Sequence, residues 1–288
     1  MVTSIRAVFL GAAAATRAWR VWLLLWALTL AFAAVLVLPA AAILHADLGH
    51  SLYAARMFGN FDPQWTAEFL FKTGNGLLIT VPPLAAALVS AYLLLMTFLN
   101  GGVLAVFTQS AAFWPGCGRN FWRLLRLLLA SLVCYALVFA ANLGLGKIGG
   151  RIWGEGMVER PVVLFGWVRA GIVILLVLAV NMVFDYAKIR AVAWNSTLLR
   201  SIRFVAGNFI RTAATYALLC VLAAALAAVY WCGSRALPRT ALGWLIVVLV
   251  VQQIFVVVRV WVRLLFFASQ AAITRQPSAI GEPAGIDV

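Results

Sequence analysis

Six long apolar stretches constrain this chain more than any other feature of its sequence. Each could cross a hydrocarbon core of about 30 Å, which requires roughly 20 helical residues. The stretches are apolar on all faces, whereas a helix of a soluble protein keeps one polar face. The sequence therefore predicts an all-α, polytopic membrane protein with six transmembrane helices. The predicted spans are residues 22–44, 83–107, 121–141, 162–184, 210–231 and 241–268.

These spans leave little of the 288 residues for any other domain. We predict a single transmembrane domain over residues 1–274, followed by a disordered cytoplasmic tail over residues 275–288. The first span is preceded by arginines and has Pro39-Ala40-Ala41-Ala42 near its end, as a cleaved signal peptide would. Its apolar run exceeds the roughly 7–15 residues of a signal peptide, which favours a retained membrane anchor.

The distribution of lysine and arginine predicts the orientation of the spans. One side of the membrane receives 14 of the 22 basic residues, and the other side receives 8 together with five acids. The positive-inside rule places the basic side and both termini in the cytoplasm. Anchoring to anionic headgroups accounts for the net charge of +14, so we expect the lipid bilayer as a partner and no nucleic acid.

Two segments between the spans have the pattern of short interfacial amphipathic helices. One follows Asp62-Pro63 in the first outer loop, where apolar and polar side chains fall on different faces. The other lies in the inner loop 185–211, where apolar residues alternate with arginines. Such helices lie in the headgroup region with their arginines against anionic lipid.

Two short motifs carry a resemblance to a known family. Asn100-Gly101-Gly102 ends the second span, and Phe184-Asp185-Tyr186-Ala187-Lys188 ends the fourth. From the second to the sixth span the chain resembles an uncharacterised family of bacterial six-helix membrane proteins. That family is similar to the membrane domain fused to some glycerophosphodiester phosphodiesterases. The resemblance implies topology and an inner-membrane location, but no enzymatic activity, because the phosphodiesterase chemistry belongs to a separate soluble domain.

Arg169 is the leading candidate for a functional residue, because it lies inside the fourth span. A charged side chain at the centre of a membrane helix costs about 3 kcal/mol or more. Arg169 could extend to the outer interface. Alternatively, it could line a polar cavity and bind an anionic group or pair with a glutamate such as Glu155 or Glu159. The other members of this candidate intramembrane polar site are Asn181, Gln252 and Gln253.

The two glutamines are adjacent, so they cannot point in the same direction on a helix. At least one is expected to form a hydrogen bond with a neighbouring helix. Glycines in an apolar helix either allow close packing or weaken the helix. Asn100, Gly101 and Gly102 are therefore either a packing site or a helix break that lines a substrate path.

Five residues form a candidate interfacial or headgroup-contacting group at the inner side. Asp185 is expected to pair with a neighbouring basic residue, and a proton- or cation-coupling carboxylate is the alternative. Arg259 and Arg263 are four residues apart and share one helix face, which suits either anchoring or a phosphate-headgroup site. The group consists of Asp185, Lys188, Arg190, Arg259 and Arg263.

No catalytic, cofactor or metal site is predicted. The glycine-rich segment 142–161 contains G-x-G-x-x-G, but no strand precedes it, so we expect a flexible hairpin. His45 and His50 are five residues apart, which places their rings on different faces of a helix and does not suit a metal ion. We expect a non-catalytic inner-membrane protein that acts in envelope organisation or as the partner of another membrane component. The alternative is a small transporter or lipid-handling protein with an anion-tolerant path near Arg169.

Overall fold

The structure is a computed structural model of the chain, and it describes residues 2–48, 63–109, 111–153, 159–236 and 242–275. These residues are helical and contain no strand, which confirms the all-α prediction. The described ranges contain eight helices. They are α1 (Val2–Arg17), α2 (Trp19–Leu48), α3 (Pro63–Gln109), α4 (Phe113–Trp153), α5 (Glu159–Trp194), α6 (Leu198–Gly207), α7 (Phe209–Ala236) and α8 (Leu242–Thr274).

Five of these helices are long and apolar enough to cross a membrane, which confirms a multi-pass membrane protein. Their candidate spans are Pro82–Gln109, Phe113–Arg151, Val163–Trp194, Phe209–Arg235 and Ile246–Thr274. The segments Ile5–Arg17 and Trp19–Val35 meet the same criterion only as a pair, bent by 72°. Counting that pair as one broken span gives a sixth. Helix α1 is an addition to the six helices predicted from the sequence.

The chain divides into two compact units. Unit 1 contains Met1–Gly11, Thr97–Ala217 and Phe267–Val288, and unit 2 contains Ala12–Met96 and Leu218–Phe266. The prediction of one domain over residues 1–274 stays a prediction. The predicted tail, apart from Arg275, lies outside the described residues.

A compact hydrophobic cluster organises unit 1. It joins helices that are distant in sequence, because α1, α5, α6 and α8 each contribute at least one buried side chain. Tyr186 of α5 is fully buried, and its hydroxyl donates to the carbonyl of Thr212 at 3.4 Å. The buried members of the cluster are Ala7, Met182, Tyr186, Phe204, Val205 and Ile273.

Unit 2 is held by aromatic and polar contacts between its helices. The rings of Tyr230 and Phe255 stack at 4.1 Å with an interplanar angle of 13°. Phe32 of α2 packs edge-on against Tyr92 of α3, with ring centroids 5.5 Å apart. The Phe32–Tyr92 pair has the edge-to-face geometry that aromatic rings prefer, and such a pair contributes about 1 kcal/mol beyond its buried area.

The inner loop 185–211 differs from the single amphipathic helix that its pattern predicts. Residues up to Trp194 continue α5, and a three-residue connection follows before α6 begins at Leu198. Asn195 in that connection has φ of 53°. Asparagine tolerates this left-handed region better than most residues, so it suits the short connection between α5 and α6.

The predicted glycine-rich hairpin is also corrected in part, because α4 continues to Trp153 through Gly144, Gly146, Gly149 and Gly150. Pro82 and Pro83 also lie inside a continuous helix, α3. In a bilayer, where water offers no competing partners, helical backbone bonding is strongly favoured despite such residues.

Candidate functional site

Helices α4 and α5 form an antiparallel pair within unit 1, and this pair positions Arg169. Three contacts follow one register: Gly149 meets Phe165, Gly146 meets Arg169, and Tyr135 meets Asn181. Over these three contacts, the residue numbers decrease along α4 and increase by similar amounts along α5, as expected for antiparallel helices. The pairing therefore extends over much of both helices.

Arg169 lies in the groove between these two helices and is half-buried. A Cβ atom added to Gly146 would lie 2.5 Å from Nη1 of Arg169 and 3.6 Å from its Cζ. The guanidinium therefore lies directly over the α4 backbone, in space that the missing side chain of Gly146 leaves free. One turn away, a Cβ added to Gly149 would lie 2.9 Å from Cδ1 of Phe165. The two glycines thus accommodate an arginine and a phenylalanine that share one face of α5.

Asp185 is the one acid whose side chain is described, and it pairs with a lysine rather than with Arg169. Its Oδ1 lies 3.0 Å from Nζ of Lys188, and both side chains are partly exposed. The expected ion pair of Asp185 therefore forms with Lys188 of the same helix. The side chains of Glu155 and Glu159, which are possible partners of Arg169, lie outside the described residues.

Asn181 serves as a contact between α4 and α5, because the hydroxyl of Tyr135 donates a hydrogen bond to its Oδ1. It is twelve residues from Arg169 on the same helix, a distance of about 18 Å. The two residues are therefore too far apart to bind one small ligand together. Asn181 links the helices at one level, and Arg169 occupies the groove at another.

The two glutamines belong to unit 2 and differ from each other. Nε1 of Trp26 on α2 donates to Oε1 of Gln253 at 3.2 Å. This is the interhelical hydrogen bond expected of at least one glutamine. Gln252 is exposed, as the different directions of adjacent helical residues require.

Arg190 is a buried cation in unit 1, with 9% of its surface exposed. Its Cζ lies 4.3 Å from the ring centroid of Phe204 and 5.6 Å from that of Trp194. Cation–π contacts of a desolvated arginine contribute about 2 kcal/mol. Arg190 therefore connects the end of α5 to α6 and is part of the core.

Arg259 and Arg263 of α8 have different surroundings within unit 2. Arg259 is exposed. Arg263 is half-buried, and its Nη1 lies 3.7 Å from Sδ of Met96. The shared helix face predicted from their spacing does not give the two guanidinium groups the same environment.

The suggested helix break at Asn100-Gly101-Gly102 is not present, because α3 is continuous through these residues. All three are buried. A Cβ on Gly102 would lie 2.6 Å from the carbonyl oxygen of Phe113 and 2.5 Å from Sγ of Cys117. The glycines therefore allow α3 to pack closely on the first turns of α4, which is the packing alternative.

A set of polar contacts that joins helix ends in unit 1 is not predictable from the sequence pattern. Nε2 of Gln109, at the end of α3, donates to the carbonyl of Val192 at 2.6 Å. Oε1 of the same Gln109 accepts a hydrogen bond from Arg119. Nη2 of Arg275 donates to the carbonyls of Phe107 and Thr108 at 2.6 and 2.9 Å. Those carbonyls belong to the last turn of α3, which lacks intrahelical donors.

The described residues contain no group of three His, Cys, Asp or Glu side chains that could hold a metal ion. His45 is exposed, and His50 lies outside the described residues. Comparison of the chain with protein-family models, with curated proteins and with solved structures found no match.

Proposed function

We propose that this chain is a non-catalytic, multi-pass protein of the bacterial inner membrane with both termini in the cytoplasm. Its role is envelope organisation, or partnership with another membrane component, through a basic surface that lies on anionic headgroups. We also propose that it belongs with the six-helix family that it resembles. The support for the family is the pair of sequence motifs at residues 100–102 and 184–188.

The observation that carries the headgroup proposal is the distribution of side chains on α6. This helix buries Ser201, Phe204 and Val205 against unit 1. Its opposite side exposes Leu199, at 77% of its surface, and Ile202, together with Arg200 and Arg203. An exposed apolar residue beside an arginine fits the boundary between headgroups and acyl chains.

Helix α1 has a similar distribution of side chains within unit 1, with a buried side and an exposed side that carries apolar residues and an arginine. Ala7 is buried in the cluster that also holds Phe204 and Val205 of α6. Ile5, Arg6, Phe9 and Leu10 are exposed. Neither α1 nor α6 contains an acidic residue, so both helices favour a negatively charged surface.

The test compares the thermal stability of the purified protein in nanodiscs of phosphatidylcholine with and without phosphatidylglycerol. We expect anionic lipid to raise the melting temperature, because each arginine near such a surface contributes about 1 kcal/mol of attraction. The double variant Arg200→Gln/Arg203→Gln should lose most of this increase. Arg235→Gln, which alters an exposed arginine near the end of α7, is the matched control. An equal increase in the double variant would contradict the proposal.

The second candidate is a small transporter or lipid-handling protein with an anion-tolerant path near Arg169. The observation that favours it is the half-buried guanidinium of Arg169 over Gly146. The continuous helix at residues 100–102 removes the other proposed part of such a path. Arg169 is therefore the residue on which this candidate depends.

A further inference from the structure

We infer that the groove formed by Arg169 and Gly146 binds the phosphate group of an anionic lipid. The phosphate lies at the end of α5 that begins with Glu159. This inference deepens the second candidate function and rests on it, since it gives the anion-tolerant site a ligand class. It is independent of the headgroup surface on α1 and α6.

The position of Arg169 along α5 brings a lipid phosphate within reach. Arg169 is seven residues after position 162, where the fourth apolar stretch of the sequence begins, which corresponds to about 10 Å along the helix axis. An extended arginine can cover most of such a distance while its stem stays in the hydrocarbon. The phosphate groups of a bilayer lie just beyond the hydrocarbon boundary, so the guanidinium and a phosphate can meet there.

The surroundings of Arg169 show why it needs such a partner. Val168, Ala170 and Ile172 are exposed apolar residues, so the open side of the groove faces lipid. An unpaired guanidinium in hydrocarbon is costly, and such arginines pair with anions or reach polar surroundings. The described acid, Asp185, is already paired with Lys188.

The groove also holds the guanidinium in place before a ligand binds. Gly146 lets Nη1 rest on the α4 backbone, and Phe165 occupies the next turn over Gly149. Guanidinium carries five N–H donors in a planar fork, so an edge remains for two phosphate oxygens. Lys147, the residue after Gly146, is exposed and places a second cation on the same turn of α4.

The experiment is a lipid titration of the purified protein in detergent, read by native mass spectrometry. Dioleoyl-phosphatidylglycerol and inorganic phosphate are the two probes, and dioleoyl-phosphatidylcholine is the neutral reference. Arg169→Gln should weaken the tightest phosphatidylglycerol binding about tenfold or more. One charged hydrogen bond contributes about 1.5–3 kcal/mol, and 1.4 kcal/mol corresponds to a tenfold change.

Two glycine variants separate the position of the guanidinium from its charge. Gly146→Ala should also weaken this binding several-fold, because the added methyl displaces the flexible end of Arg169. Gly144→Ala is the matched control, since a Cβ there meets nothing within 4 Å, and it should bind like the original protein. Gly146→Ala retains every charge, and the atoms that the new methyl meets belong to the far end of the Arg169 side chain rather than to backbone, so the fold should be retained.

Each outcome decides between specific alternatives. If millimolar inorganic phosphate displaces phosphatidylglycerol, the site also binds free phosphate. If it does not, the site is specific for the lipid headgroup. Both results support an anion-binding site at Arg169. Unchanged phosphatidylglycerol binding in Arg169→Gln and Gly146→Ala would overturn the inference. If Arg200→Gln/Arg203→Gln loses phosphatidylglycerol binding while Arg169→Gln binds normally, the headgroup surface on α6 is supported and the Arg169 site is overturned.

Discussion

In unit 1, a buried arginine and a glycine, Arg190 and Gly102, both contribute to the packing between helices. Arg190 lies over Phe204 at 4.3 Å and connects two helices as a core residue. Gly102 lies against the carbonyl of Phe113, where no side chain fits. The structural role of each residue therefore depends on the neighbouring helix that it contacts.

Replacing Gly102 by alanine should destabilise the protein by about 1–3 kcal/mol. The new methyl would overlap the backbone of Phe113, and overpacking of a close contact has costs of this size. Gly118→Ala is the control on α4, because a Cβ there meets nothing within 4 Å, and it should be neutral or slightly stabilising. Unfolding in detergent micelles measures both, and equal stabilities would show that α3 and α4 do not pack this closely.

The sequence identifies Arg169 but not the groove that holds it. A charged residue in an apolar stretch is visible to any reader of the chain, because the bilayer penalises it. Gly146 could not be assigned to it, because glycines between two spans have the composition of a loop. Its role follows only from the register of α4 against α5, which is a tertiary property.

Among the helices, α6 is the short element whose attachment depends most on one side chain. Phe204 and Val205 are buried in the cluster of unit 1, and Arg190 covers the Phe204 ring. The helix has only ten residues, which is too few to be stable in water without tertiary contacts. Its conformation therefore depends on this anchorage.

Phe204→Ala should reduce stability by about 3 kcal/mol and release α6 from unit 1. Hydrogen exchange over residues 198–207 should accelerate more than exchange in α5. Leu199→Ala, on the exposed side of the same helix, should change stability by less than about 0.5 kcal/mol. Protection of α6 that survives Phe204→Ala would mean that other contacts hold the helix.

Helix existence could be predicted for the long elements, but several boundaries could not. Pro82 and Pro83 resemble a break in sequence, yet α3 includes both. Gln109 and Arg275 donate hydrogen bonds to the backbone carbonyls of Val192 and Phe107, which are far from them in the sequence. Backbone acceptors exist at every position, so no sequence pattern marks which of them an arginine or glutamine will bind.

For the whole molecule, the distribution of basic residues yields a topology that can be measured. Cys232, exposed near the end of α7, is expected on the outer side, and Leu199 of α6 is expected on the cytoplasmic side.

A membrane-impermeant maleimide should label Cys232 in intact cells when Cys117, Cys134 and Cys220 are replaced by serine. Leu199→Cys in a cysteine-free chain should be labelled only after the membrane is permeabilised. The reverse pattern would invert the predicted orientation and place the arginines of α6 outside.

The contact between α1 and α8 has a consequence for biogenesis. Gly11 packs so closely on Ser269 that a Cβ on the glycine would lie 2.9 Å from the Cα of the serine. Helix α1 is synthesised well before α8, which supplies this part of its packing surface. At roughly 5–20 residues per second, α1 must wait many seconds for its docking site. Until α8 is synthesised, the Gly11 face of α1 therefore lacks the neighbour on which it packs in the folded protein.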